Sequence, residues 1–115
     1  MRDYVRGEPH LVRHFNGSFR DPASFREKAR EVDLRFHRDA RERALSFLSP
    51  AGPGAVEGLR RFVEEGGYFV TTGQQPGLFG GPLFALYKAL SAGKLAGVLE
   101  WVLARPVLPA LWIAS

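Results

Sequence analysis

The sequence predicts an α/β fold: a doubly wound parallel sheet, of which this chain holds one βαβ unit, preceded by N-terminal helices. Three observations predict it. A short run of β-branched and aromatic residues at 68–72 is followed by a mostly apolar helical pattern at 83–103, and then by a second apolar run at 105–115. Runs that are apolar on both sides are typical of parallel strands covered by helices on both faces. We expect a right-handed crossover between the two strands.

Residues 1–66 are interpreted as an N-terminal helical segment. Asp21 followed by Pro22 is a strong helix start, because aspartate caps free amides and proline loses nothing at the first helical position. Apolar residues then recur every three or four positions, which predicts one long amphipathic helix or two with a break near Asp33. The sequence SPAGPG at 49–54 ends this pattern, and a further helix is predicted after it, closed by a pair of glycines.

Residues 67–115 are interpreted as the first βαβ unit of the sheet. Pro109 is expected at the start of the second strand or on an edge, because proline donates no hydrogen bond to a sheet. Trp101 and Trp112 are interpreted as core residues. Two parallel strands are too few for a stable sheet, and each leaves an unpaired edge. We therefore expect an incomplete domain, the N-terminal fragment of a longer protein.

Composition limits the class of protein further. The 115 residues fit one small domain, and 45% hydrophobic residues are enough to build a core. The absence of cysteine excludes disulfides, zinc-thiolate sites and thiol nucleophiles within this chain. The first ten residues lack the apolar stretch of a secretory signal, and no window reaches eighteen uninterrupted apolar residues, so we expect a soluble, cytoplasmic protein.

The net charge of +4 raises the question of nucleic-acid binding. Residues 1–43 carry eleven Lys and Arg against eight Asp and Glu, so the positive charges are interleaved with acids. That pattern is more often a solvated helix face than a nucleic-acid surface. The three histidines lie in no carboxylate cluster with the spacing of metal ligands, and no metal site is predicted.

The candidate functional site is the glycine-rich stretch TTGQQPGLFGGP at 71–82. It joins the end of a predicted strand to a helix N-terminus, where oriented amides favour phosphate or carboxylate. The glycines permit positive φ and close ligand approach, and the two glutamines supply amide donors and acceptors. Lys88, about two turns into the helix, would supply a countercharge. Neither G-x-G-x-x-G nor the Walker motif is present. A sharp turn whose glycines only relieve strain is an equally open interpretation.

One family shares this stretch. Its pattern is T-G-Q-Q-x-G-L, then G-P-L and an aromatic-Lys pair, then a strand reading W-I-A. The sequence resembles the N-terminal part of the bacillithiol-synthesis cysteine-adding enzyme family of cysteine ligases, closely over residues 70–115 and loosely before them. The matching residues are Thr72, Gly73, Gln74, Gln75, Gly77, Leu78, Gly81, Pro82, Leu83, Tyr87, Lys88, Trp112, Ile113 and Ala114.

The resemblance implies a Rossmann-type core related to nucleotidyl-transferring class I synthetases. It implies a reaction that joins cysteine to the amino group of glucosaminyl malate, an activating nucleotide such as ATP or ADP, and a coiled-coil region that makes the full-length protein a homodimer. We expect the 115 residues alone to lack this activity, and no catalytic residue is assigned. The residues implied to bind substrate or nucleotide are Thr72, Gly73, Gln74, Gln75, Gly77 and Lys88.

Two alternatives stay open. The first is a small anion- or nucleotide-binding module without catalysis, which would use the same loop. The second is a nucleic-acid-binding segment that would use the arginine-rich first long helix. Substitution of Gln74 and Gln75 should abolish small-molecule binding but leave nucleic-acid affinity unchanged. A steep salt dependence of duplex binding would favour the second alternative.

Overall fold

The computed structural model describes residues 2–12, 17–74 and 81–113. Among the described residues, none of the helices has the length and apolarity needed to cross a membrane. The elements are, in chain order, α1 (Arg2–Arg6), α2 (Pro9–Val12), α3 (Pro22–Arg35), α4 (Arg38–Ala44), a 3-10 turn (Leu45–Phe47), α5 (Pro53–Glu64), β1 (Tyr68–Gln74), α6 (Gly81–Leu103) and β2 (Val107–Ile113).

The N-terminal helices begin where the sequence predicts, but their break lies further along. The Asp21 carboxylate accepts a hydrogen bond from the Ala23 amide at 2.9 Å, which caps α3. The chain leaves helical geometry at Phe36, whose backbone is extended, and not near Asp33. A hydrogen bond from Arg41 Nη1 to the Phe36 carbonyl, at 2.6 Å, holds this break. Asp33 stays inside the helix and points its carboxylate at partners distant in sequence.

The two strands form the predicted parallel pair. Their register aligns Tyr68 with Val107 and continues residue by residue to the ends of both strands. β1 extends two residues beyond the predicted run, because Gly73 and Gln74 also pair with β2. Pro109 lies in the middle of β2, opposite Val70, in a two-stranded sheet where β2 has a free edge. One βαβ unit of an α/β fold is therefore confirmed.

Helices cover both faces of this sheet. On one face α3 and α6 pack against the strands, in a core of Ala29, Tyr68, Ala96, Leu99 and Val107. On the other face the ring of Phe62 in α5 lies 4.3 Å from the ring of Phe69, centroid to centroid. Gly58 in α5 also lies close to this face of the sheet, since a Cβ atom built on it would lie 2.8 Å from Leu108 Cδ2. The sheet is doubly wound, as predicted.

Both tryptophans are exposed, so their interpretation as core residues is wrong for this structure. Trp101 is 84% exposed and Trp112 is 59% exposed. α6 meets the sheet through Ala92, Ala96 and Leu99, and Trp101 lies outside this contact. Trp112 lies near the carboxyl end of β2, opposite Gly73.

A polar network fixes the amino ends of the strands to the helical segment. The Asp33 carboxylate accepts hydrogen bonds from Arg41 at 3.0 Å, from the Tyr68 hydroxyl at 2.9 Å, and from Arg105 at 2.7 and 3.1 Å. Arg41 also donates to the Gly67 carbonyl at 3.0 Å, and its side chain is only 8% exposed. We call these four residues, Asp33, Arg41, Tyr68 and Arg105, the Asp33 network.

The network changes the acidity of its members. Burial raises the pKa of Asp33, but hydrogen bonds from Arg105, Tyr68 and Arg41 outweigh burial and hold the pKa below its ordinary value. Burial, followed by the hydrogen bond to Asp33, raises the pKa of Tyr68 to about 12. Tyr68 therefore remains a hydrogen-bond donor over the whole working pH range.

Candidate functional site

The predicted site residues fall at the carboxyl end of β1 and on the second turn of α6. Thr72, Gly73 and Gln74 are the last three residues of β1, and Lys88 lies about two turns into α6. The remaining two predicted residues, Gln75 and Gly77, lie outside the described residues, so their roles stay predictions. In open α/β sheets, ligands bind beyond the carboxyl ends of the strands, which is where these residues meet.

Lys88 contacts the predicted loop end directly. Its ammonium nitrogen, Nζ, donates a hydrogen bond to the Gly73 carbonyl at 3.1 Å, and its side chain is half-buried. The same nitrogen lies 5.8 Å from the centroid of the Phe84 ring. The structure thus brings two of the predicted residues together and fixes the lysine at the edge of the sheet.

A depression of about 460 Å³ adjoins this contact, between β1 and the amino-terminal half of α6. We call it the β1–α6 depression. None of its lining residues comes from β2. Its lining is largely apolar, with one charged side chain. The lining residues are Val70, Thr71, Thr72, Phe84, Tyr87, Lys88, Ser91, Ala92 and Leu95.

A close contact with Trp112 explains why residue 73 is a glycine, and the sequence did not reveal this contact. A Cβ atom built on Gly73 would lie 2.4 Å from Cε2 of Trp112, its neighbour across the sheet. No side chain fits there without moving the indole. The φ angle of Gly73 also lies outside the left-handed range, so the predicted use of glycine for positive φ is not met at this position. Gly73 allows close approach of Trp112.

The sequence analysis missed the partners of Lys88 on α6. Phe84, Tyr87, Ser91 and Leu95 line the same depression. Phe84, Ser91 and Leu95 lie four, three and seven residues from Lys88, which is the spacing of one helix face, so the spacing alone could have grouped these three. Tyr87 is adjacent to Lys88 in sequence, and this spacing does not apply to it. The contact between Gly73 and Trp112 had no comparable signal, because it depends on the register of two strands.

The stretch of sequence that forms this site carries positive charges only. Between Gly66 and Leu99 the sequence contains two lysines, Lys88 and Lys94, and no aspartate or glutamate. Among the described residues, Lys88 makes no ion pair. A half-buried ammonium without a counter-ion attracts an anionic ligand group.

Comparison with known proteins identifies the family. The family model described as "Bacillithiol biosynthesis BshC, N-terminal Rossmann-like domain" matches residues 1–115, the whole chain. The chain belongs to the BshC family. The resemblance seen in the glycine-rich loop is therefore confirmed, and the partial parallel sheet is part of a Rossmann-like domain.

Individual relatives of the chain carry the same family name. A protein of Heliobacterium modesticaldum named "Putative cysteine ligase BshC" is 34% identical over 124 aligned residues, which cover 97% of this chain and 23% of that protein. A relative of the same name from Bacillus cereus is 30% identical over 119 residues, covering 100% of this chain and 22% of the relative. A third, from Exiguobacterium sibiricum, is 54% identical over 46 residues, 40% of this chain and 9% of its own.

The BshC domain described here thus spans less than a quarter of the length of the curated relatives that match along its whole length. No solved structure matches the chain.

Proposed function

We propose that this chain is the N-terminal part of a ligase that adds cysteine to glucosaminyl malate during bacillithiol biosynthesis and forms an amide, a C–N bond. The observation that carries the proposal is the family match over all 115 residues, whose curated relatives are named as cysteine ligases. The 115 residues alone are expected to lack the activity.

The loop and the start of α6 would bind substrate or nucleotide in this reaction. The contact between Lys88 and Gly73 supports this role, because it sets a cation at the carboxyl end of β1 beside a depression of ligand size. No general base is assigned. The binding residues of the proposal are Thr72, Gly73, Gln74, Gln75, Gly77 and Lys88.

The remaining requirements combine the chemistry of amide formation with what the family resemblance implies. A carboxylic acid must be activated before an amine attacks it, so a nucleotide such as ATP is the predicted co-substrate. The small-molecule substrates are cysteine and glucosaminyl malate, and the full-length protein is predicted to act in the cytoplasm as a homodimer.

The test is turnover of cysteine with glucosaminyl malate by the full-length protein. We expect Gln74→Ala to lower formation of the thiol product at least tenfold, because the amide would lose its hydrogen bonds to a bound ligand. Glu27→Ala is the matched control, since Glu27 is exposed on α3, away from β1, and it should leave product formation unchanged. Unchanged product in Gln74→Ala would remove the loop from the site, and absence of product in the unmodified protein would refute the ligase.

The alternative of a small anion-binding module without catalysis is favoured by the same residue, Lys88, which makes no ion pair among the described residues. It predicts ligand binding at Lys88 without turnover in the full-length protein.

The nucleic-acid alternative is weakened by the ion pairs that arginines of the helical segment form within the chain. Arg38 pairs with Glu42, and Arg43 pairs with Asp39, each one helical turn apart. Paired arginines are less available for phosphates, so a shallow salt dependence of duplex binding is expected.

A further inference from the structure

We propose that Lys88 is the residue that recognises a substrate carboxylate, and that the β1–α6 depression is a carboxylate subsite. This inference rests on the proposed function, because it assigns one chemical group of the substrate to one part of the site. Both proposed small-molecule substrates, cysteine and glucosaminyl malate, carry the required group. The carboxylate is the shared chemistry, and the experiment separates the two sources.

The geometry of Lys88 supplies the donor. A lysine ammonium has three N–H groups, and in the described part of the chain one of them is used, on the Gly73 carbonyl. That contact fixes the direction of the ammonium at the end of β1 and leaves two N–H groups for a ligand. The Phe84 ring lies beside the ammonium, with its centroid 5.8 Å from Nζ, which is within cation–π distance.

The charge balance of the depression selects the type of anion. Its lining holds one cation, and the chain holds no acidic residue from Gly66 to Leu99. A single carboxylate group would offset the charge of Lys88, whichever substrate supplies it. A nucleotide polyphosphate would bring several negative charges, and this stretch offers neither a second cation in the depression nor a carboxylate to hold a neutralising metal ion. A carboxylate is therefore the better match.

The polar groups around Lys88 fit the rest of such a substrate. Thr72, Tyr87 and Ser91 line the same depression and carry hydroxyl groups, which accept or donate hydrogen bonds to hydroxyl and amino groups of a small molecule. The apolar part of the lining, from Val70, Ala92 and Leu95, suits a carbon skeleton. The depression therefore combines one charge with several neutral polar groups, as small-molecule sites commonly do.

Lysine acylation followed by peptide mass spectrometry tests the assignment on the full-length protein. A limiting amount of an activated acetate ester modifies accessible amines, and the rates at Lys88 and Lys94 are compared. The probes are L-malate, N-acetyl-L-cysteine, inorganic phosphate and ADP, at equal ionic strength. Lys94 is the internal control, because it is exposed on the same helix and does not line the depression.

We expect L-malate or N-acetyl-L-cysteine to slow acylation of Lys88 saturably, while Lys94 is unaffected. Whichever of the two protects identifies the source of the carboxylate. Lys88→Met should weaken binding of that carboxylate about 10- to 100-fold, since a hydrogen bond to a charged group is lost, and Lys94→Met should not change it.

Two results would overturn the assignment. In one, neither carboxylate protects Lys88. In the other, phosphate or ADP protects it as well as the carboxylates do, which would make the depression a general anion or nucleotide subsite. These failures are separable from failure of the ligase. Protection without turnover would refute the ligase and keep the carboxylate subsite, whereas turnover with unprotected Lys88 would do the reverse.

Discussion

The two ends of the parallel sheet differ in how they use charge. At the amino ends of the strands, the Asp33 carboxylate accepts hydrogen bonds from α4, from β1 and from Arg105, which precedes β2. At the carboxyl ends, Lys88 has one carbonyl partner and no ion pair among the described residues. The first arrangement leaves nothing for a ligand, and the second leaves an ammonium available. Under the proposed function, the stabilising network and the ligand-binding lysine would lie at opposite ends of the same two strands.

The largest expected loss of stability comes from substituting Arg41, at the amino ends of the strands. Arg41→Ala removes donors to Asp33, Phe36 and Gly67 together and leaves a carboxylate short of a partner. Because this side chain is nearly fully buried, we expect the free energy of unfolding to fall by about 3–5 kcal/mol. Urea denaturation at neutral pH measures the loss.

Arg43→Ala is the matched control for Arg41→Ala. Arg43 lies two residues away on the same helix, and its ion pair with Asp39 is exposed. Exposed ion pairs of this kind often contribute nothing measurable. Equal losses from the two substitutions would contradict the importance of the Asp33 network.

A smaller effect is expected from Asp33→Asn, and it should depend on pH. The carboxylate is about one-third exposed, so solvent screening limits the expected loss to about 1–2 kcal/mol at neutral pH. The folded-state pKa of Asp33 is lowered, so its stabilising contribution is complete above its ordinary pKa of 3.8 and disappears as the pH falls through the folded-state pKa.

Denaturation curves at several pH values test this dependence. The difference in unfolding free energy between the unmodified protein and Asp33→Asn should stay constant from neutral pH down to near 3.8, and then shrink. A difference that grows on acidification would mean that the folded state binds the proton more tightly than the unfolded chain, contrary to the hydrogen bonds seen here.

The smallest effect probes the ligand end. Gly73→Ala forces the Trp112 indole to move, since the new Cβ would lie 2.4 Å from it. Because the ring is more than half exposed, it can shift, and we expect a loss of about 1 kcal/mol. Gly93→Ala is the control: nothing lies within 4 Å of its Cβ position on α6, so a gain of about 0.5–1 kcal/mol in unfolding free energy is expected. In a protein that already carries Trp112→Ala, adding Gly73→Ala should cause no further loss of unfolding free energy. A further loss of about 1 kcal/mol there would mean that the new Cβ atom clashes with a group other than the indole.

The sequence predicted what depends on local pattern. The cap at Asp21, the parallel strands and the long helix between them all follow from residue spacing and turn residues, and the structure agrees. Lys88 was singled out from its position after a glycine-rich loop, and its role in ligand binding stays a prediction. The family resemblance added the Rossmann-like assignment, which the comparison confirms.

The sequence could not reveal contacts between distant residues. Asp33 looked like a possible helix break, and its actual role depends on Arg105, which lies 72 residues away. Trp112 looked like a core residue because apolar runs are usually buried, and no local pattern specifies which parts of the sheet the helices cover. The fit of Trp112 over Gly73 depends on strand register, which no local pattern specifies.

The long separation within the Asp33 network has a kinetic consequence. The ion pair between Asp33 and Arg105 closes a loop that contains α4, α5, β1 and α6. The entropy of closing that loop must be overcome before the contact stabilises anything, so we expect the contact between Asp33 and Arg105 to form late in folding. Contacts absent from the transition state chiefly slow unfolding. We therefore expect Arg105→Ala to raise the unfolding rate more than it lowers the folding rate.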